Sequence, residues 1–102
     1  MKRTDIKSRQ EFDDLLEQAI VKVGKLSKEF PDEKVFFAVH RQLETIKEWT
    51  DGGRNMTRAQ KDKIIMGVQA SREMGVFEVE QDLVIALDNY LEAKMPNAPP
   101  AN

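Results

Sequence analysis

One histidine, eighteen carboxylates and sixteen lysine or arginine side chains are the groups in this chain that could move protons or hold charge. There is no cysteine, so a thiolate nucleophile, a thiolate zinc site and a disulfide framework are all excluded. General acid–base chemistry needs a positioned histidine or a pair of carboxylates in a pocket. His40 stands alone, which leaves no multi-histidine metal site, and its helical position falls between an apolar stripe and a polar face. The carboxylates recur on predicted solvent faces beside one another or beside cations, as Glu44, Lys47 and Glu48 do. Asp51-Gly52-Gly53-Arg54 is glycine-rich, but no strand precedes it and no Lys-Ser/Thr ending follows, so it is not a phosphate-binding loop. With no catalytic constellation in view, the expectation is a chain that is not an enzyme and uses neither metal nor cofactor.

Surface chemistry is more informative. On a helix through residues 33–50, Phe37 falls about 160° from Val39 at the ~100° step per residue. It therefore groups with Arg41, Glu44 and Glu48 rather than with the core. A phenylalanine ringed by charge has the make-up of an interface anchor with a polar rim. Trp49 on the shoulder, with Asp51 and Arg54 in the adjoining loop, extends the candidate surface. A second candidate is acidic: between Glu73 and Glu92 the carboxylates are Glu73, Glu78, Glu80, Asp82, Asp88 and Glu92, with no basic residue after Arg72. Glu73, Glu78 and Glu80 form an alternative interface that would attract a cationic partner. A basic cluster of Arg54, Arg58, Lys61 and Lys63 opens the third helix in a loose helix-turn-helix arrangement. However, its loop is longer than the usual ~3–4 residues. The net charge of −2 and pI near 5.4 also argue against nucleic-acid binding.

Four helices must position these residues. Apolar residues at three- and four-residue steps from Phe12 to Phe30 predict a first helix over about 9–29, with Ser8 and Glu11 at capping-box spacing and Pro31 as its stop. Asp32 is the expected N-cap of the second helix, with a core stripe of Val35, Phe36, Val39, Leu43 and Ile46. Gly52-Gly53 ends it. Thr57 and Gln60 predict a capped third helix over about 58–74, apolar on two sides: Ile64, Ile65 and Val68, then Ala59, Met66, Ala70 and Met74. Gly75 is placed to be a left-handed C′ glycine, with Val76 packing behind it. Val79, Leu83, Ala86, Leu87 and Tyr90 stripe a fourth helix that ends before Pro96. No alternating strand pattern intervenes. The expected fold is all-α, a compact antiparallel bundle of four helices forming one domain over 1–95, followed by a disordered Pro-rich tail over 96–102. At 102 residues, 40% hydrophobic and 33% charged, a single polar globule is what the length allows. The basic start MKRTDIKSRQ lacks an apolar h-region, and no apolar run approaches the ~20 residues of a membrane span, so a cytoplasmic protein without membrane contact is expected.

The order of motifs is similar to that of a known family. Leu26-x-x-x-Phe30-Pro31 closes the first helix and Gln42-Leu43-x-x-Ile46 centres the second. Gly67-x-x-Ala70-x-Arg72-Glu73, preceded by Ile64, lies late in the third, and Leu83-x-x-Ala86-Leu87-x-x-Tyr90 in the last. Across residues 12–94 the chain resembles the small all-helical immunity proteins that neutralise NAD(P)+ glycohydrolase effectors of type VI secretion systems. The resemblance implies an antitoxin that binds the toxin domain of a cognate effector, an NAD(P)+ glycohydrolase or a related nucleotide-consuming enzyme, and occludes its active site. Phe37, Arg41, Glu44, Glu48, Trp49, Asp51 and Arg54 are then the expected contact. The double-glycine loop Thr50–Asn55, the N-terminal arm and the Pro-rich tail depart from the family pattern, and loops commonly set partner specificity. The alternative is a self-associating helical scaffold using Met66, Ala70 and Met74 as a second apolar face; a homodimer is compatible with either role.

Overall fold

The computed structural model describes residues 5–100. It contains α1 (Arg9–Glu29), α2 (Lys34–Thr50), a 3-10 turn over Asp51–Gly53, α3 (Arg58–Asp62), α4 (Met66–Glu73) and α5 (Glu78–Ala93). The fold is all-α, with α3 and α4 together taking the place of the third bundle helix. α1 packs against α2 and α5, and α4 packs against the same two, so the four close a ring around one core. Among the described residues no helix is long and apolar enough to cross a membrane.

Local signals account for the first helix. Ser8 Oγ accepts the Glu11 N–H at 3.1 Å, while the Glu11 carboxylate reaches one residue further back, to Lys7 N–H, rather than to Ser8. Phe12, Leu16, Ala19, Val23 and Leu26 are buried. Phe30 then closes the turn into α2: its ring lies 6.0 Å from Phe36 and 5.5 Å from Phe77, and Phe36 meets Phe77 edge-on at 5.3 Å. This trio ties the α1–α2 turn to the start of α5 and gives Phe30-Pro31 a structural reason. The N-cap of α2 is Glu33 and not Asp32, and no side chain caps it.

Cross-helix contacts prove the antiparallel register of α1 and α2. A Cβ at Gly24 would meet His40, Glu17 pairs with Lys47 at 2.6 Å, and Arg9 reaches Asn55. As one residue number falls, the other rises by the same step. Arg9 is the clamp at the far end. Its guanidinium donates to Asp13, to Asn55 and to the Thr50 and Arg54 carbonyls. Arg54 in turn donates to the carbonyls of Asp51 and Glu48 at the end of α2. The loop between these anchors turns through Gly52 at φ 72° and Gly53 at φ 85°, a left-handed pair that residues with a Cβ rarely adopt.

The continuous third helix expected over 58–74 is broken. Thr57 and Gln60 make the full capping box, but α3 ends at Asp62. Ile64 N–H bonds the Lys61 carbonyl in a tight three-residue step, and Ile65 N–H turns instead to Gln42 Oε1 on α2 at 2.7 Å. A tertiary acceptor replaces a helical one, so the chain can change direction there without stranding an N–H. Met66, Ala70 and Met74 consequently lie in the core, while Ile65 and Val68 are 54% and 55% exposed. The apolar face assigned to a self-associating scaffold is thus internal. Further corrections follow at the α4–α5 turn: Gly75 has no positive φ and Val76 is exposed. Val79 is exposed too, and Val84 and Leu91 fill the α5 core positions instead. Beyond α5, Met95 is buried and Ala98 N–H donates to the Met56 carbonyl at 2.9 Å. The segment 96–100, expected to lack order, is tied to the loop before α3 at that point; residues 101–102 lie outside the described ones.

Candidate functional site

Phe37 is the aromatic that escapes the core. It is 60% exposed although Phe36 beside it is buried, and the Arg41 guanidinium lies 5.9 Å from its ring centroid. Burying Phe36 against α1 and α5 turns its neighbour outward, as the helical step requires. Shallow grooves flank the ridge this creates along α2. One, of about 420 Å³, runs between α2 and the α3–α4 break; Phe37, Arg41, Gln42, Trp49, Lys63 and Ile64 are among its walls. On the opposite flank Glu44, Glu48, Asp51 and Arg54 meet Ile20 and Lys47 of the α1–α2 seam.

The candidate residues therefore lie on α2 and the turn that follows it, spread over three shallow grooves. Phe37, Arg41 and Trp49 line the first and Glu44, Glu48, Asp51 and Arg54 the second, while a third, of about 740 Å³ over the α1 side, brings Phe37, Arg41, Glu44 and Glu48 together with His40 and Lys28. Trp49 is only half-exposed and packs against the core. Arg54 is tied to the end of α2 as well as lining the acidic flank. Lys47 is held by the Glu17 carboxylate, which raises its ammonium above the usual lysine range. His40 lies over Gly24 with Glu44 3.7 Å away.

The basic cluster before and within α3 is largely consumed by the fold. Arg58 pairs with Asp62 at 3.0 Å and with Glu92 of α5 at 2.7 Å. Lys61 is buried, its ammonium donating to the Met95 carbonyl past the end of α5, and desolvation pushes it below the usual lysine range. With Arg54 also engaged, Lys63 is left at the groove edge. A nearly continuous cationic patch is thereby reduced to one lysine, because each side chain finds an acceptor that only the folded chain supplies.

The acidic segment is reshaped in the same way. Glu92 is taken by Arg58, and Asp88 turns inward against Gly67 at the start of α4. Burial, with Glu92 nearby, raises the Asp88 carboxyl to about 6, while the Gly67 N–H pulls it down. Glu73 and Glu78 are exposed and Glu80 half-exposed, at the two sides of the α4–α5 turn. Glu78 and Glu80 sit in the first turn of α5, where carboxylates suit the helix dipole.

The Asp88 shift makes a prediction with a definite sign. A carboxyl that holds its proton up to about pH 6 when folded, but loses it near 3.8 when unfolded, favours the folded state in acid. This contribution is fully present below about pH 4 and is lost as pH rises through about 6. Asp88→Asn keeps an acceptor for Gly67 N–H and removes the charge. Its urea midpoint is expected to exceed that of the parent chain at pH 7 and to match it at pH 4. A wild-type-like pH profile in the variant would show that Asp88 is not the titrating group.

The sequence model of the Tsi6 family matches residues 11–90, most of the chain. The chain belongs to the Tsi6 family. Tsi6 is an immunity-protein family for type VI secretion effectors, which agrees with the motif order read along the four helices. No curated protein and no solved structure matches the chain. The Tsi6 match begins in the first turn of α1 and ends at Tyr90, whose ring stacks on Phe12 at 4.8 Å. It encloses the helical ring, both flanks of α2 and the broken third helix. In Tsi6 terms, Gln42 and Ile64 acquire specific work here: Gln42 caps the break and Ile64 forms a groove wall. Sequence periodicity places none of Gln42, Lys63 and Ile64 beside Phe37, although Lys63 belongs to the basic cluster and Ile64 to an apolar side of the expected third helix. Gln42 could have been found from its four- to five-residue spacing to Phe37 and Ala38; Lys63 and Ile64 arrive only through the break.

Proposed function

We propose that this chain is a cytoplasmic antitoxin without enzymatic activity, which binds the toxin domain of a cognate type VI effector and occludes its active site. The toxin's chemistry is NAD(P)+ degradation, and the contact is the outer face of α2 through Phe37, Arg41, Glu44, Glu48, Trp49, Asp51 and Arg54. The observation that carries the surface is Phe37: a large aromatic 60% exposed, next to a cation, between two grooves. Leaving such a ring in water forgoes about 1.5–3 kcal/mol of burial, which a partner can recover. Membership of an immunity family supplies the kind of partner. The rival contact is Glu73, Glu78 and Glu80.

The test is NAD+ consumption by the C-terminal domain of the effector encoded beside this chain. The chain is expected to suppress it at one-to-one stoichiometry. Phe37→Ala is expected to weaken binding by roughly 2 kcal/mol or more, about thirtyfold, as truncation of a central anchor does. Charge reversal at Glu73, Glu78 and Glu80 is expected to leave suppression intact. Rescue from a toxin that spares NAD+ would retain the antitoxin role and replace the chemistry. Suppression lost at the three glutamates but kept in Phe37→Ala would move the contact to the α4–α5 turn.

A further inference from the structure

We infer that the groove between α2 and the α3–α4 break receives an acidic, apolar segment of the toxin domain, an apolar side chain flanked by carboxylates. This deepens, and rests on, the antitoxin reading above. The groove walls carry two cations, Arg41 and Lys63, and no carboxylate. Among the described residues neither cation has an ion-pair partner within 4.0 Å. That is a local inversion in a chain of net charge −2.

The floor is ready to be covered. Gln42 Nε2 donates to the Ala38 carbonyl and to Gln69 Oε1, and Gln42 Oε1 accepts the Ile65 N–H. Thr45 Oγ1 donates to the Arg41 carbonyl. These polar groups are satisfied within the protein, so an apolar side chain can displace water from them without stranding a donor or acceptor. Phe37, Trp49 and Ile64 supply apolar walls. The hydrogen-bonding capacity left for a partner is that of a guanidinium, an ammonium and the Trp49 indole N–H, all donors, and the two cations among them select carboxylates.

The other flank of α2 sharpens the selection. Glu44, Glu48 and Asp51 face it with Lys47 committed to Glu17 and Arg54 to helix-end carbonyls, and only toward α1 do Lys28 and Arg41 stand beside Glu44 and Glu48. An acidic segment is therefore attracted on one side of the ridge and repelled on the other, which fixes its seat. The chain itself carries a segment of matching chemistry, Val76 and Val79 among Glu73, Glu78 and Glu80. A second copy seated there would close the groove to the toxin, so the antitoxin role favours the toxin segment as occupant.

The experiment titrates the same effector C-terminal domain with four proteins at two salt concentrations. These are the parent chain, Arg41→Glu with Lys63→Glu, Glu73→Lys with Glu78→Lys, and the parent labelled with 5-fluorotryptophan at Trp49, the chain's single tryptophan. Reversal in the groove is expected to weaken binding by roughly tenfold or more and to slow association. Reversal at the α4–α5 turn, outside the contact, is expected to keep affinity within about threefold and to speed association at low salt. The fluorine resonance of Trp49 is expected to shift on binding. Since all four reversed positions carry exposed or half-exposed side chains, unchanged thermal melts are the control for folding.

The opposite pattern, with binding lost at the α4–α5 turn and kept in the groove double variant, would place the contact at the acidic turn and overturn the inference, leaving the antitoxin role standing. Sedimentation of the parent chain as a dimer that the groove variant dissociates would assign the groove to a second copy and also overturn it. If the parent chain neither binds the domain nor protects NAD+, the antitoxin reading itself falls, and the groove assignment with it.

Discussion

Phe36→Ala is expected to remove about 3–5 kcal/mol of folding free energy, whereas Phe37→Ala, one residue on, leaves it within about 0.5 kcal/mol. Phe36 is 2% exposed and sits between the Phe30 and Phe77 rings, so truncation opens a cavity where α1, α2 and α5 meet. Those helices are anchored by their own stripes and cannot collapse fully into the space, which is why the upper part of the large-to-small range applies. Against a total stability of about 5–15 kcal/mol for a domain of this size, the variant retains little margin. Urea unfolding measures both members of the pair, with Phe36→Leu as a milder step if the alanine variant does not fold. The contrast separates scaffold from surface: the Phe36 change lowers the midpoint, while the Phe37 change leaves it and bears only on the proposed contact. A midpoint lowered equally by both would mean that Phe37 is held by the protein rather than offered to a partner.

Gly67→Ala reverses the usual rule for glycine inside a helix. At an open helical site alanine is better by about 1 kcal/mol. Here the added Cβ would lie 2.9 Å from the Asp88 Cγ and 3.1 Å from its Cβ, and closer still to Oδ2. The carboxylate tip could swing away, but the Asp88 Cβ is fixed to the backbone of α5, so the two helices must separate. Overpacking of this kind costs about 1–3 kcal/mol, and the bond from Gly67 N–H to the carboxylate is worth roughly another 1. The net loss is about 2 kcal/mol, or roughly 8–16 °C in Tm. Asp88→Ala in the same chain removes the carboxylate, the closer part of the obstacle, but keeps its Cβ, and is expected to return part of that loss. Independent, additive effects of the two changes would show that the contact does not control the α4–α5 spacing.

Most of the architecture is readable from neighbours within four residues of each other. Ser8 with Glu11, Thr57 with Gln60, Phe30-Pro31 and the two glycines at 52–53 mark helix ends because caps, proline and left-handed turns act over that range. The buried stripes of α1 and α2 follow from the same periodicity, and so does the outward turn of Phe37, since a helical step places a side chain without reference to any other helix. The immunity-protein resemblance rests on the order of these local motifs, and the family match covers the same stretch.

Other features depend on partners far away in the chain. Nothing between 58 and 74 marks Ile65 as a break, since its N–H is satisfied by Gln42 from another helix. Asp32 looked like a cap and is not one, and Gly75 resembled a left-handed stop without becoming one, because tertiary packing overrode a weak local preference. The charged residues depended most heavily on distant partners. Arg58, Lys61 and Arg54 make a basic cluster in one dimension, but Glu92, the Met95 carbonyl and the end of α2 absorb them in three. Helices, their ends and the outward turn of Phe37 are set by bonds that span a turn. Which face becomes core, which cation stays free and where a groove opens are set by contacts between helices, whose geometry no four-residue window contains.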